Sequence, residues 1–174
     1  NDYEIELTSK EKFKNTQLDR AKNLCDKYNL SFDEMKEWYN GYLIDDISIY
    51  NPQSVVLTCS RKIFSNYWTK TESFEALKVF IQLDMDGLHQ SVIKMIAGEK
   101  IKVNTEKFEN DMVTFKSADD VITLLIHLGY LTYSKKTGEA WIPNKEVLQE
   151  FINCIEDSNW KEVMNSIRKS DELL

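Results

Sequence analysis

The fifteen residues from Trp38 to Pro52, WYNGYLIDDISIYNP, impose a break that an otherwise helical chain has to fold around. Ser31 and Glu34 form a capping box just ahead of them, and Leu30 and Met35 are spaced for a hydrophobic staple. A helix is therefore predicted from Ser31, with Met35, Trp38 and Tyr39 on its apolar stripe and Gly41 ending it in the left-handed conformation. Tyr42 to Ile44 and Ile47 to Tyr50 alternate like two short strands about Asp45-Asp46. Asn51 then reads as an N-cap and Pro52 as the first helical residue, which launches the next helix at a fixed angle. The whole stretch reads as a structural clasp, in which Trp38, Tyr39, Tyr42 and Tyr50 tie two helices through one aromatic cluster. The competing reading is an exposed aromatic platform for a ligand or partner, where Trp and Tyr are also favoured.

Helical spacing dominates the rest of the chain. Leu18, Ala21, Leu24, Cys25 and Tyr28 recur on one face, and Val55, Val56 and Cys59 follow Pro52. A helix beginning near Thr71 is expected to bury Phe74, Leu77, Phe80 and Ile81. The next, capped by Asp86, runs through Leu88, Val92, Met95 and Ile96 to Gly98. Ile101 and Val103 suggest a short strand, and Ser117 caps a strongly apolar helix that Gly129 ends. Tyr130–Tyr133 and Ala140–Ile142 flank Ser134-Lys135-Lys136-Thr137-Gly138 as a second hairpin. Asn144 caps a helix through Val147, Leu148, Phe151, Ile152 and Ile155, and Ser158 opens a last one through Trp160, Val163, Met164 and Ile167. The fold class expected is mainly α with short β-hairpins. A helical subdomain over residues 1–100 carries the aromatic hairpin, and a winged-helix-like subdomain with C-terminal helices spans residues 101–174.

Composition narrows the function classes. Five Gly and two Pro among 174 residues favour long regular elements with few linkers. A net charge of −7 gives no general attraction to nucleic acid or to an anionic membrane. No apolar run approaches the roughly 20 residues that span a bilayer, and no signal peptide is visible. The three separated cysteines, Cys25, Cys59 and Cys154, each fall in an apolar helical pattern and read as buried reduced thiols, which suits the cytoplasm. Tyr3, Ile5 and Leu7 alternate as a strand directly after Asn1, so the chain reads as a piece of a longer polypeptide.

No catalytic constellation emerges. The glycines, at positions 41, 87, 98, 129 and 138, are isolated and none precedes Lys-Ser or Lys-Thr, so no phosphate-binding loop is expected. His89 and His127 have no cysteine near them at zinc-ligand spacing, and Asp84-Met85-Asp86-Gly87 lacks the later acids of a calcium loop. Asp45-Asp46 suits a turn, and Asp119-Asp120 suits a helix first turn, where acids offset the dipole. Glu34-Met35-Lys36 has the letters of a nuclease motif but lies in a helix without an upstream acid. Catalytic, cofactor and metal residues are therefore expected to be absent. The second hairpin presents Lys135 and Lys136 at its tip, a possible contact to a phosphate backbone. Three lysines and no arginine face seven carboxylates between Ser117 and Asp157, a net of −4, which favours protein over nucleic acid as its partner.

Five stretches occur in order: Trp38-Tyr39-Asn40-Gly41-Tyr42, Tyr50-Asn51-Pro52-Gln53-Ser54-Val55, Tyr67-Trp68-Thr69-Lys70-Thr71, Leu128-Gly129-Tyr130-Leu131 and Ile142-Pro143-Asn144-Lys145-Glu146-Val147. The series, from about Phe13 to Ile155, resembles the bacterial AAA-ATPase-like proteins that often carry a C-terminal PD-(D/E)XK nuclease-like domain. Members usually have Asp where Asn40 stands, and Arg-Phe or similar where this chain has Leu43-Ile44. The resemblance implies a non-catalytic middle segment between a P-loop ATPase core and the nuclease-like domain. It implies ATP and magnesium only through that core, and flanking domains of the same protein as partners. Trp38, Tyr39, Gly41, Tyr42, Tyr50, Asn51, Pro52 and Trp68 are the structural or interface residues expected. The alternative is a nucleic-acid-binding winged-helix module of the same parent. Oligomeric state is left open.

Overall fold

The computed structural model describes residues 13, 18–44, 47–67, 72–83, 85–106 and 115–156. Outside the described residues fall the strand expected at Tyr3–Leu7, the Asp45-Asp46 turn, Trp68, the helix start at Thr71, Asp84 and the last helix from Ser158. The described chain is mainly α-helical, with two small antiparallel sheets of two and three strands. It forms two compact units. Unit 1 takes the described residues up to Tyr67 together with Asn144–Glu146, and unit 2 takes those from Glu72 to Pro143 and from Val147 onward.

Unit 1 opens with helix α1, described over residues 18–28, and helix α2, Phe32–Tyr39. Ser31 starts α2 as expected: its hydroxyl accepts from the Glu34 N–H at 3.3 Å, and Asp33 and Glu34 set negative charge against the helix dipole. The end of α2 differs from expectation. Asn40 leaves the helix in extended geometry and pairs with Tyr50, so the chain passes directly into strand β1 (Asn40–Ile44) against β2 (Ile47–Tyr50). Gly41 does not close the helix. It sits at φ 123°, where the β1–β2 register shifts between Asn40 and Tyr42, and spends its freedom on a bulge that aims Tyr42. The Asn51 N–H then donates to the Tyr39 carbonyl at 2.8 Å, fastening the hairpin to the end of α2. Helix α3, Pro52–Arg61, starts as predicted, because the Asn51 side chain accepts from the N–H groups of Gln53 and Ser54 and Pro52 needs no N–H partner. The core is Cys25, Met35, Tyr39, Val55 and Cys59, with Trp38, Tyr50, Phe64 and Tyr67 packed around it.

Unit 2 contains α4 (Glu72–Ile81), α5 (Leu88–Ile96), strand β3 (Ile101–Lys102), α6 (Ala118–His127) and strands β4 (Thr132–Ser134) and β5 (Glu139–Trp141). Helix α7 (Lys145–Glu156) has its first two residues in unit 1 and the rest in unit 2. Asp86 is not the cap of α5. Gly87 occupies that position at φ 80°, because the turn in which the Leu88 N–H reaches the Met85 carbonyl calls for a left-handed residue immediately before the helix. Ser117 and Asp120 form a reciprocal capping box on α6. The sheet order is β3-β5-β4, with Ile101 and Tyr133 both opposite Ala140. The second hairpin thus forms where the alternation predicted it.

Candidate functional site

The most elaborate polar cluster among the described residues lies in unit 1 and centres on Glu146. This carboxylate is fully buried. The Ser54 hydroxyl, itself 1% exposed, lies 2.8 and 2.9 Å from its two oxygens. The Tyr67 backbone N–H donates to Oε1 at 3.0 Å, and the Asn51 amide nitrogen to Oε2 at 3.3 Å. Burial pushes the Glu146 carboxyl pKa up, and the donors from Tyr67, Ser54 and Asn51 oppose that rise. Burial, with the Glu146 charge second, also pushes the Tyr42 hydroxyl up, and contact with Asn144 works the other way. Neighbouring Lys145 extends outward: its ammonium pairs with Glu37 at 3.0 Å and lies 5.0 Å from the centre of the Trp38 ring.

A second polar knot lies on the aromatic core. The Tyr39 hydroxyl accepts from Thr58 Oγ1 at 2.7 Å and from the Ser65 N–H at 3.1 Å, and donates to the Ser65 carbonyl at 3.0 Å. Burial is the main cause of its raised pKa. The Tyr39 ring packs between Trp38, Phe64 and Tyr67 at centroid distances of 6.2–6.4 Å. This knot fixes the loop after α3, and so presents the Tyr67 N–H to Glu146.

The sequence-predicted residues divide accordingly. Tyr39, Tyr42, Tyr50, Asn51 and Pro52 all lie in this cluster or its frame. Tyr39 is wholly buried, whereas Trp38, placed on the same buried stripe by its spacing, is half-buried and keeps one face for Lys145. Trp68 lies outside the described residues. Glu146, Ser54, Thr58 and Ser65 were not singled out by sequence reasoning. Glu146 stands in the first turn of α7, where an acid is already explained by the dipole, and its donors are 79 to 95 positions away.

Chemically, Ser54 and Glu146 look like a nucleophile and base, but both are buried and the carboxylate is engaged by three donor groups. A substrate carbonyl has no approach to Ser54 Oγ. The cluster holds chain segments together. Cys25 and Cys59 are free, buried thiols whose pKa burial raises, which disfavours the reactive thiolate. Among the described residues no group of three or more His, Cys, Asp or Glu side chains is placed to hold a metal ion. No helix of the described residues is long and apolar enough to cross a membrane.

In unit 2 the hairpin tip carries Lys135 and Lys136, both exposed. Lys102 of β3 reaches the Thr137 carbonyl and pairs with Glu139 at 3.4 Å. The adjoining open cleft, about 760 Å³, is lined by Lys102, Lys135, Tyr133 and Asn104 but also by Glu106 and Asp119. Its charge is balanced. Helix α6 buries the five consecutive residues Val121 to Leu125.

Compared with protein-family models, with curated proteins and with solved structures, the chain matches none.

Proposed function

We propose that this chain is a non-catalytic structural module: the segment of an AAA-ATPase-like protein that links and positions a P-loop ATPase core and a nuclease-like domain in the cytoplasm. One observation carries the reading. Three of the stretches behind the resemblance converge on Glu146: Asn51 and Ser54 from the second, Tyr67 from the third, and Glu146 itself from the last. The first stretch supplies Trp38 to Lys145 and Tyr39 to the loop that presents Tyr67. Residues that look like a functional signature thus have a mechanical role, holding four segments of chain in one geometry. That is what a positioning element requires and a catalytic one does not.

Unit 2 is read as winged-helix-like, a reading supported by the sequence α5, β3, α6 and the β4–β5 hairpin and by the β3-β5-β4 sheet order. Its partner is read as protein rather than DNA. A helix that reads the major groove needs an exposed face, and five consecutive buried residues sweep more than a full turn of α6. Asp119 and Asp120 at its start repel phosphate. A second reading, a wing that touches nucleic acid, is favoured by Lys102, whose ammonium reaches the Thr137 carbonyl and which lines one cleft with Lys135.

The decisive experiment is to read the coding DNA on both sides of this segment and to titrate the chain with Mg-ATP by calorimetry. Expected are a Gly-rich P-loop ending in Lys-Ser or Lys-Thr upstream, a Glu-x-Lys strand motif downstream, and no saturable heat. Flanks without a P-loop, or a micromolar isotherm from this chain alone, would overturn the proposal.

A further inference from the structure

Unit 1 holds Lys145 and Glu146 the way a receptor holds a ligand. Every group that binds them comes from residues 37 to 67. Glu37 takes the ammonium and Trp38 covers it with its ring, while Ser54, Asn51 and the Tyr67 N–H take the carboxylate. The two held residues lie 79 to 108 positions further along the chain, so no local helix or turn geometry brings them there. Tyr67 is also the last residue of unit 1 before the chain departs, and Asn144 the first after it returns. The occupant is therefore delivered on a long excursion through unit 2, and the site recognises a pattern: an ammonium followed by a carboxylate at a helix start.

We propose that this face of unit 1 is a docking site for the Lys145-Glu146 helix start, filled here within one chain and open to the same segment of a second copy, giving a dimer by exchange. The physical drive is the site itself. Ser54 is buried, and without the carboxylate its hydroxyl is left as a buried donor without its acceptor, and the half-buried Tyr67 N–H loses its acceptor too. An empty site therefore favours any second carboxylate presented in the same way. Intact chains keep the contact internal, because joining both halves in one chain makes their meeting intramolecular. Exchange of identical segments is a low-cost route to a dimer once that internal contact is lost.

The test pairs two full-length variants, each defective in one half of the contact. Lys145→Ala with Glu146→Ala removes the ligand and keeps the site. Glu37→Lys with Ser54→Ala spoils the site and keeps the ligand. Each alone at micromolar concentration is expected to run as a monomer in sedimentation velocity. Their mixture is expected to give a species of twice the 20.5 kDa chain mass. A chain carrying all four changes is expected to pair with neither. Should the first variant be poorly folded alone, the same event is read as a rise in its melting temperature when the second is added. A mixture that stays monomeric and shows no such rise overturns the proposal.

Discussion

Removing the Glu146 carboxylate is the perturbation that unit 1 should tolerate least. In Glu146→Ala the Ser54 hydroxyl and the Tyr67 N–H lose an acceptor at 2.8–3.0 Å, and the Asn51 amide loses a longer bond at 3.3 Å. Hydrogen bonds to a charged group contribute about 1.5–3 kcal/mol each, and orphaning a buried donor costs about 1–3 kcal/mol. The carboxylate itself is desolvated, which offsets part of that gain, and its partners are neutral, so the loss is set by the two or three donors left without an acceptor. We therefore expect Glu146→Ala to lose about 3–5 kcal/mol, which for a chain of this size lowers the melting temperature by roughly 6–20 °C. Glu146→Gln keeps the shape and one acceptor oxygen but turns an amide N–H₂ toward a donor, so a loss of about 1–2 kcal/mol is expected. Urea unfolding followed by tryptophan fluorescence and circular dichroism measures both. A loss below about 1 kcal/mol for the alanine variant would refute the reasoning, since that is the scale of an ordinary surface change.

Burial raises the Glu146 carboxyl pKa above its usual 4.5, so the folded state holds this proton more tightly than the unfolded one. The stability of the parent chain relative to Glu146→Gln should then fall as pH rises from about 4.5 through the elevated pKa and level off beyond it; urea melts across that range check this, and a difference that grows with pH contradicts it. Tyr39→Phe removes a hydroxyl that serves Thr58 and both backbone groups of Ser65, and should cost about 1–3 kcal/mol in the same assay; a neutral result would mean the loop after α3 is held by other means. The hairpin of unit 2 should bind duplex DNA no better than the weak non-specific range of about 10⁻⁴–10⁻⁶ M by fluorescence anisotropy. Tight binding at physiological salt that Lys135→Glu with Lys136→Glu abolishes would instead favour the nucleic-acid reading.

Much of the local structure was legible because its causes are local. Asn51-Pro52 starts α3 since an Asn side chain and a proline solve the problem of unpaired N–H groups within three residues. Alternation foretold both hairpins, and Ser117 with the acids behind it foretold α6. Gly41 was misread because a positive-φ glycine serves a helix end and a bulge equally well, and only the pairing of Asn40 with Tyr50 decides between them. Gly87 displaced Asp86 for a similar reason, the turn ahead of α5 outweighing side-chain preference. The centre of the candidate site was hidden for a different cause. Ser54 and Glu146 were visible within their stretches, but their contact spans 92 positions, and neither residue breaks a local rule that would draw attention to it. The return of Asn144–Glu146 to unit 1 is long-range in the same way, and no change in composition marks it.

The central claim, that the aromatic and Asn-Pro stretches form one mechanical clasp closed by Glu146, is tested most directly by a double-mutant cycle. Ser54→Ala, Glu146→Ala and the combined variant are unfolded in urea beside the parent chain. With the hydroxyl lying 2.8 and 2.9 Å from the two carboxylate oxygens in a buried setting, the two losses should overlap strongly, giving a coupling of about 1.5–3 kcal/mol. Losses that simply add, within about 0.3–0.5 kcal/mol, would contradict the account.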